Sequence, residues 1–195
     1  MNNNLLVRSF KVLFLAIVAS AMIGCASVTM PPPSATASTV ENLRAANIVP
    51  ATAGKFVLAP GVNPEVDKSL GGLRGSSLQA TSGSFSQQLK EVIIAELKAA
   101  GLYDEKSPNQ IEGQLMESQV DAAVSVGTAR LSAKFTVDRN GKRVFDKVLS
   151  VESQWESSFV GAIALPAAIH QYSLLYKTLA AKLFEDKDFK AALAR

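Results

Sequence analysis

Few residues in this chain of 195 are equipped for chemistry: it has one histidine, His170, and one cysteine, Cys25. A Ser-His-Asp arrangement needs an imidazole beside a serine, so it would rest on His170 with Ser158 or Ser173 as nucleophile. His170 follows Ile169 within a helical pattern, which reads as a helix-surface or semi-buried position. A single cysteine excludes an intramolecular disulfide. If its sulfur is acylated, no thiolate is left as nucleophile or metal ligand. Asp138-Arg139-Asn140-Gly141 has the start of a calcium loop but lacks the later acids and the closing glutamate. Gly71-Gly72-Leu73-Arg74-Gly75 resembles a phosphate cradle, without the Lys-Ser/Thr ending and without a helix opening directly after it. Glu112, Glu117 and Asp121 fall on two faces of a strand, which does not suit paired acid–base work. Basic residues are scattered, with no aromatic-lined stripe for nucleic acid. The expectation is a chain with no catalytic residue, no metal and no cofactor.

Composition directs attention to the N-terminus. Hydrophobic residues make up 48% and charged residues 19%, and the mean hydropathy of +0.17 is high for a soluble domain. Residues 1–24 carry much of that excess: a polar start with Arg8 and Lys11, then the run Val12 to Ile23 broken only by Ser20. Twelve helical residues reach about 18 Å, short of the roughly 30 Å hydrocarbon core. The segment therefore reads as a signal peptide. It also takes two of the basic charges, leaving the rest nearly balanced and the basic character uninformative about nucleic acid. Met22-Ile23-Gly24-Cys25 is similar to the bacterial lipobox, whose cysteine receives diacylglycerol. Two or three acyl chains anchor stably where one does not. Ala26 follows the cysteine where aspartate would, by resemblance to enterobacterial lipoproteins, favour the inner membrane. The expected place is the outer membrane, lipid-anchored, with the domain in the periplasm.

Residues 25–53 read as the lipidated N-terminus and a flexible tether, rich in Pro, Ser, Thr and Ala, including Pro31-Pro32-Pro33, with a helical turn allowed near Glu41 to Ala46. Flexible chain of that length reaches roughly 30 Å. Residues 54–195 read as one domain. Lys55 to Ala59 is a short strand ended by Pro60-Gly61, and Gly61 to Gly83 reads as a long polar loop, a candidate for meeting a partner. Phe85, Leu89, Val92, Ile93 and Leu97 mark one face of a helix, with Ser84 and Gln87 as a capping box and Gly101 as its stop.

Ile111, Gly113 and Leu115 alternate with polar residues, as do Ala129, Leu131, Ala133, Phe135 and Val137. The return strand places Phe145, Leu149, Val151 and Trp155 at odd positions too. A plain two-residue Asn140-Gly141 turn would put Phe145 on the wet face. A three-residue loop, Arg139-Asn140-Gly141, with Phe135 opposite Phe145, is therefore expected. That register turns Lys147 inward. A second helix is expected from Pro166 at its first position, with Ile169, Tyr172, Tyr176, Leu179 and Leu183 buried, then a short turn anchored by Phe189. The uncharged stretch 159–168 before it is either a buried connection or an exposed apolar lip of Phe159, Val160, Ile163 and Leu165.

The expected fold class is α+β: a two-layer sandwich in the order β-α-β-β-β-α, two helices on one face of a mostly antiparallel four-stranded sheet. With its lipobox, its helix ending in Gly101-Leu102-Tyr103, the meander around Asn140-Gly141 and the closing Asp188-Phe189-Lys190, the chain resembles the YajG-like outer-membrane lipoproteins. It is more distantly similar to envelope lipoproteins of the LptE and PqiC type. The resemblance implies a non-enzymatic binding or accessory module, attached to the membrane through Cys25 and meeting an envelope protein or lipid. The alternative is a transport auxiliary that binds acyl chains.

Overall fold

The computed structural model describes residues 27–195. Its main sheet has the order β2-β5-β6-β7, formed by β2 (Thr52–Leu58), β5 (Asn109–Asp121), β6 (Ser125–Arg139) and β7 (Lys142–Ser157). β2 lies parallel to β5, and the other pairs are antiparallel. Helices α2 (Phe85–Ala100) and α3 (Gly161–Glu185) cover one face. The α+β class and the β-α-β-β-β-α order are therefore found. The core joins Phe85, Leu89 and Ile93 of α2, Leu131 and Phe135 of β6, and Tyr172, Tyr176 and Leu179 of α3.

Two segments depart from expectation. The supposed tether is folded: β1 (Ser27–Thr29) is followed by helix α1 (Ala37–Ala45), and Met30, Leu43, Ile48 and Ala51 are buried. Nine residues are too few to make a helix on propensity alone. α1 is held by α2, where Arg44 donates to the Ala99 carbonyl at 2.7 Å and Glu96 accepts from the Thr36 amide at 2.9 Å. The supposed loop holds a short turn of helix (Pro64–Asp67) and a hairpin, β3 (Leu70–Leu73) and β4 (Ser76–Gln79). With β1 these strands make a second sheet, ordered β1-β4-β3. Leu70, Leu73 and Leu78, too sparse to show a period in the sequence, are its buried residues.

The helix α2 follows its signals. Ser84 accepts from the Gln87 amide, and Gly101 closes the helix in a left-handed conformation. In β5 a bulge at Met116 shifts the alternation, so that Glu117 stays out and Ser118 turns in. The Ser118 hydroxyl then lies 2.6 Å from Tyr172, which lies 3.0 Å from Tyr176.

The β6–β7 connection corrects the expected loop. It is a two-residue turn, with Arg139 opposite Lys142 and with Asn140 and Gly141 both at positive φ (52° and 77°). The extra residue is Val144: Asp138 faces Arg143, and Val137 faces Phe145. The bulge, not the turn, restores odd-to-odd pairing, and Leu131 faces Val151 instead of Leu149. Lys147 does face inward, near the end of the sheet, where its ammonium reaches Asp186 at 2.7 Å and Asp188 at 3.0 Å. Those two carboxylates raise its pKa.

α3 begins at Gly161, five residues before the expected start, and contains Pro166. The first turn forms because the Val160 carbonyl accepts from both Ile163 and Ala164 and because Ala164 is buried. The short final helix α4 (Lys187–Ala192) has Asp186 as its cap and Phe189 as its buried anchor. Burial pushes the Asp186 carboxyl up, but the Lys147 ammonium and the amides of Phe189 and Asp188 outweigh it and hold the pKa below the ordinary range.

Candidate functional site

The candidate site is the end of the main sheet where β7 gives way to α3. Arg74, at the β3–β4 turn with φ 51°, lies against it. Its Nε donates to the Ala122 carbonyl at 2.6 Å and its Nη1 to the Phe159 carbonyl at 2.9 Å. Its Nη2 donates to the Ser158 carbonyl at 2.6 Å and to the Ser157 hydroxyl at 3.2 Å. The planar fork of a guanidinium suits this, since it can serve several carbonyls at once. Gly72 lets the hairpin come close: a Cβ there would meet the Val120 carbonyl oxygen at 2.0 Å. The Ser158 hydroxyl accepts from the Val160 amide at 3.1 Å, so the backbone of this corner is bonded on both sides.

With its backbone fixed, the corner turns its side chains outward. Phe159 is 82% exposed, Ile163 62% and Val160 52%. The neighbouring β5–β6 turn adds Val124 and the start of β6 adds Val126, both exposed, across the pairs Ser125–Ser157 and Val126–Glu156. Single exposed apolar residues are ordinary, but a group of them at one corner marks a contact surface. Leu165 does not belong to it: half-buried, it packs on the core, because a helix that starts at Gly161 turns that position inward. Asp121, at the end of β5, and Glu156, paired with Val126, are exposed at the same end of the sheet.

The other residues with chemical potential do not converge. His170 and Ser173 line a recess of 130 Å³ beneath Pro31-Pro32-Pro33, but the Ser173 hydroxyl donates to the Ile169 carbonyl at 2.6 Å. Ser158 is occupied at the corner just described. Asp138 is paired to Arg143, whose guanidinium holds its carboxyl below the ordinary range. The Gly71–Gly75 segment is the β3–β4 hairpin. A wider groove of 660 Å³ mixes Arg130 and Lys182 with Glu117, Glu152 and Glu185. There the Lys182 ammonium donates to the Ser150 carbonyl on the free edge of β7, at 2.8 Å. Among the described residues, no cluster of three or more His, Cys, Asp or Glu could hold a metal ion. Cys25 lies outside the described residues.

Two features went unread in the sequence. Arg74 carried one signal, a lone cation between glycines at a turn. Glu96 carried none: it sits among the polar residues of α2 yet is fully buried against α1. Burial raises its pKa, against the lowering effects of Thr36 and Lys177.

The architecture defines a class of small two-layer α+β domains with helices on one sheet face. A Xanthomonas campestris protein of the DUF330 family shares this fold, with a TM-score of 0.57 at 9% identity, over 85% of this chain and 96% of that one. A minor lipoprotein from Acinetobacter baumannii matches at a TM-score of 0.44 and 10% identity, over 74% of this chain and 92% of that one. No family model matches the chain, and no curated protein does. Among the described residues, no helix is long and apolar enough to cross a membrane.

Proposed function

We propose that this chain is an envelope lipoprotein, held by acyl chains on Cys25 at the outer membrane, and that its domain works by contact instead of catalysis. The observation that carries the reading is the exposed apolar corner of Phe159, Val160 and Ile163, at whose start Arg74 holds the Ser158 and Phe159 carbonyls. The anchor is supported by Met22-Ile23-Gly24-Cys25, and its destination by Ala26. The finer kinship to YajG-like lipoproteins rests on the same lipobox and on the helix ending in Gly101-Leu102-Tyr103.

An acyl-chain carrier would need an apolar cavity. The recess beneath the triple proline, at 130 Å³, falls below the roughly 300 Å³ at which ligand pockets begin. The two wider grooves, of 660 and 510 Å³, are lined by charged residues, Glu117, Glu152, Lys182 and Glu185 in one and Asp121 and Arg130 in the other, which do not suit an acyl chain. Metabolic palmitate labelling, membrane fractionation and envelope crosslinking of wild type and Cys25→Ser test the reading. Wild type should take up label, sediment with outer membranes and crosslink there; Cys25→Ser should do none of these. An unlabelled wild type would overturn the proposal. Lipid co-purifying from detergent-free extracts, with no crosslinked component, would move the reading to the carrier.

A further inference from the structure

The start of the described chain limits how far an anchor on Cys25 can lie from the fold. β1 runs parallel to β4, with Ser27 beside Ser77 and Val28 beside Leu78. β4 begins directly after the Arg74–Gly75 turn, where Leu73 faces Ser76. Ser27 therefore lies at the turn end of the hairpin, and it is this turn whose Arg74 grips the carbonyls of Ser158 and Phe159. Cys25 is two residues before Ser27. Two residues span at most about 7 Å. Chain connectivity thus keeps an anchor on Cys25 within that reach of the end of the molecule that carries Phe159, Val160, Ile163 and Val124.

From this juxtaposition we infer that the apolar end seats on the leaflet that holds the Cys25 acyl chains, with Phe159 and Ile163 entering the boundary between headgroups and hydrocarbon. The inference rests on the lipidation proposed above and names the surface that the exposed corner meets. Acyl chains already confine the domain to the membrane, so the corner meets the bilayer at a high effective concentration and even a modest apolar gain keeps it there. Backbone entering such a boundary must have its polar groups satisfied. Here the Ser158 and Phe159 carbonyls are taken by Arg74, the Val160 amide by Ser158, and the Val160 carbonyl by Ile163 and Ala164. The amides at the start of α3, which has no side-chain cap, are left to the lipid headgroups. Asp121 and Glu156, both exposed, give no attraction to anionic lipid, so the seat is apolar and does not weaken as salt rises.

The test uses full-length, lipidated protein purified from cells and reconstituted in phosphatidylethanolamine–phosphatidylglycerol vesicles. An added tryptophan reports position, either Phe159→Trp at the corner or Val148→Trp on the open sheet face. Wild type, with Trp155 as its one tryptophan, gives the background. Lipids brominated along the acyl chain quench what reaches the boundary. A residue seated as interfacial helices are lies about 5–10 Å into the boundary, within reach of the brominated chains, so Phe159→Trp should be strongly quenched at low and high salt while Val148→Trp is not. Added emission that stays unquenched at Phe159→Trp, in protein that still floats with the vesicles, overturns the seat and leaves the anchor standing. That result would assign the corner to a protein partner. Protein that carries no acyl chain and does not float overturns the anchor, and the seat with it.

Discussion

Glu96 shows how one buried carboxyl can set a stability profile. It is fully buried, its Oε1 accepts the Thr36 amide at the start of α1, and its Oε2 has no partner. Burial raises its pKa, so the folded state binds the proton more tightly than the unfolded state across the window above the ordinary glutamate value of 4.5. Where the folded state holds more protons, stability falls as pH rises. The cost is therefore absent at lower pH, grows through that window and is complete above the raised value. Glu96→Gln removes the ionisation and supplies an amide donor where the orphaned Thr36 hydroxyl lies. Thermal unfolding should show the variant more stable than wild type at pH 7, with the gain vanishing below the ordinary glutamate range. An equal gain at both ends would mean that the charge is not responsible.

At the scale of elements, β7 separates what periodicity can reveal from what it cannot. The parity of Phe145, Leu149 and Trp155 requires one extra residue somewhere in the hairpin, and that much is legible. Whether the residue sits in the turn or at Val144 is not, because both solutions bury the same faces. α2 was legible throughout, since its stripe, cap and stop agree. β1 and the β3–β4 hairpin were not, and α1 only as a turn near Glu41 to Ala46, because each brings only one or a few apolar residues to a surface made by other elements. The corner at Phe159 was readable as an uncharged stretch, but its exposure depends on Arg74, more than eighty residues earlier. The bulge itself makes a sharp prediction. Deleting Val144 removes the unpaired residue and keeps Phe145 opposite Val137, so denaturant unfolding should change by no more than about 1 kcal/mol. Deleting Val148 turns Leu149, Val151 and Trp155 to the wrong face, and the loss should exceed about 4 kcal/mol. Similar effects of the two deletions would refute this register.

For the molecule as a whole, the folded unit includes the segment that composition marks as tether. Truncation to residues 54–195 would remove Met30, Leu43, Ile48 and Ala51 from the core and the β1 strand from its sheet. Burial of large apolar side chains contributes about 1.5–3 kcal/mol each, so that fragment should bind hydrophobic dye and lose its cooperative unfolding transition, while residues 27–195 keep theirs. A cooperative 54–195 would restore the tether. The orientation of α3 has a consequence of its own. The helix starts at the apolar corner and runs for 25 residues toward Asp186 and the Lys147 pair at the opposite end. At 1.5 Å per residue it is a pillar about 38 Å tall. A domain seated by its corner would hold the Asn140–Gly141 turn and the C-terminal residues at a constant height over the lipid, acting as a gauge: a second component could dock there only if its own reach matched that height.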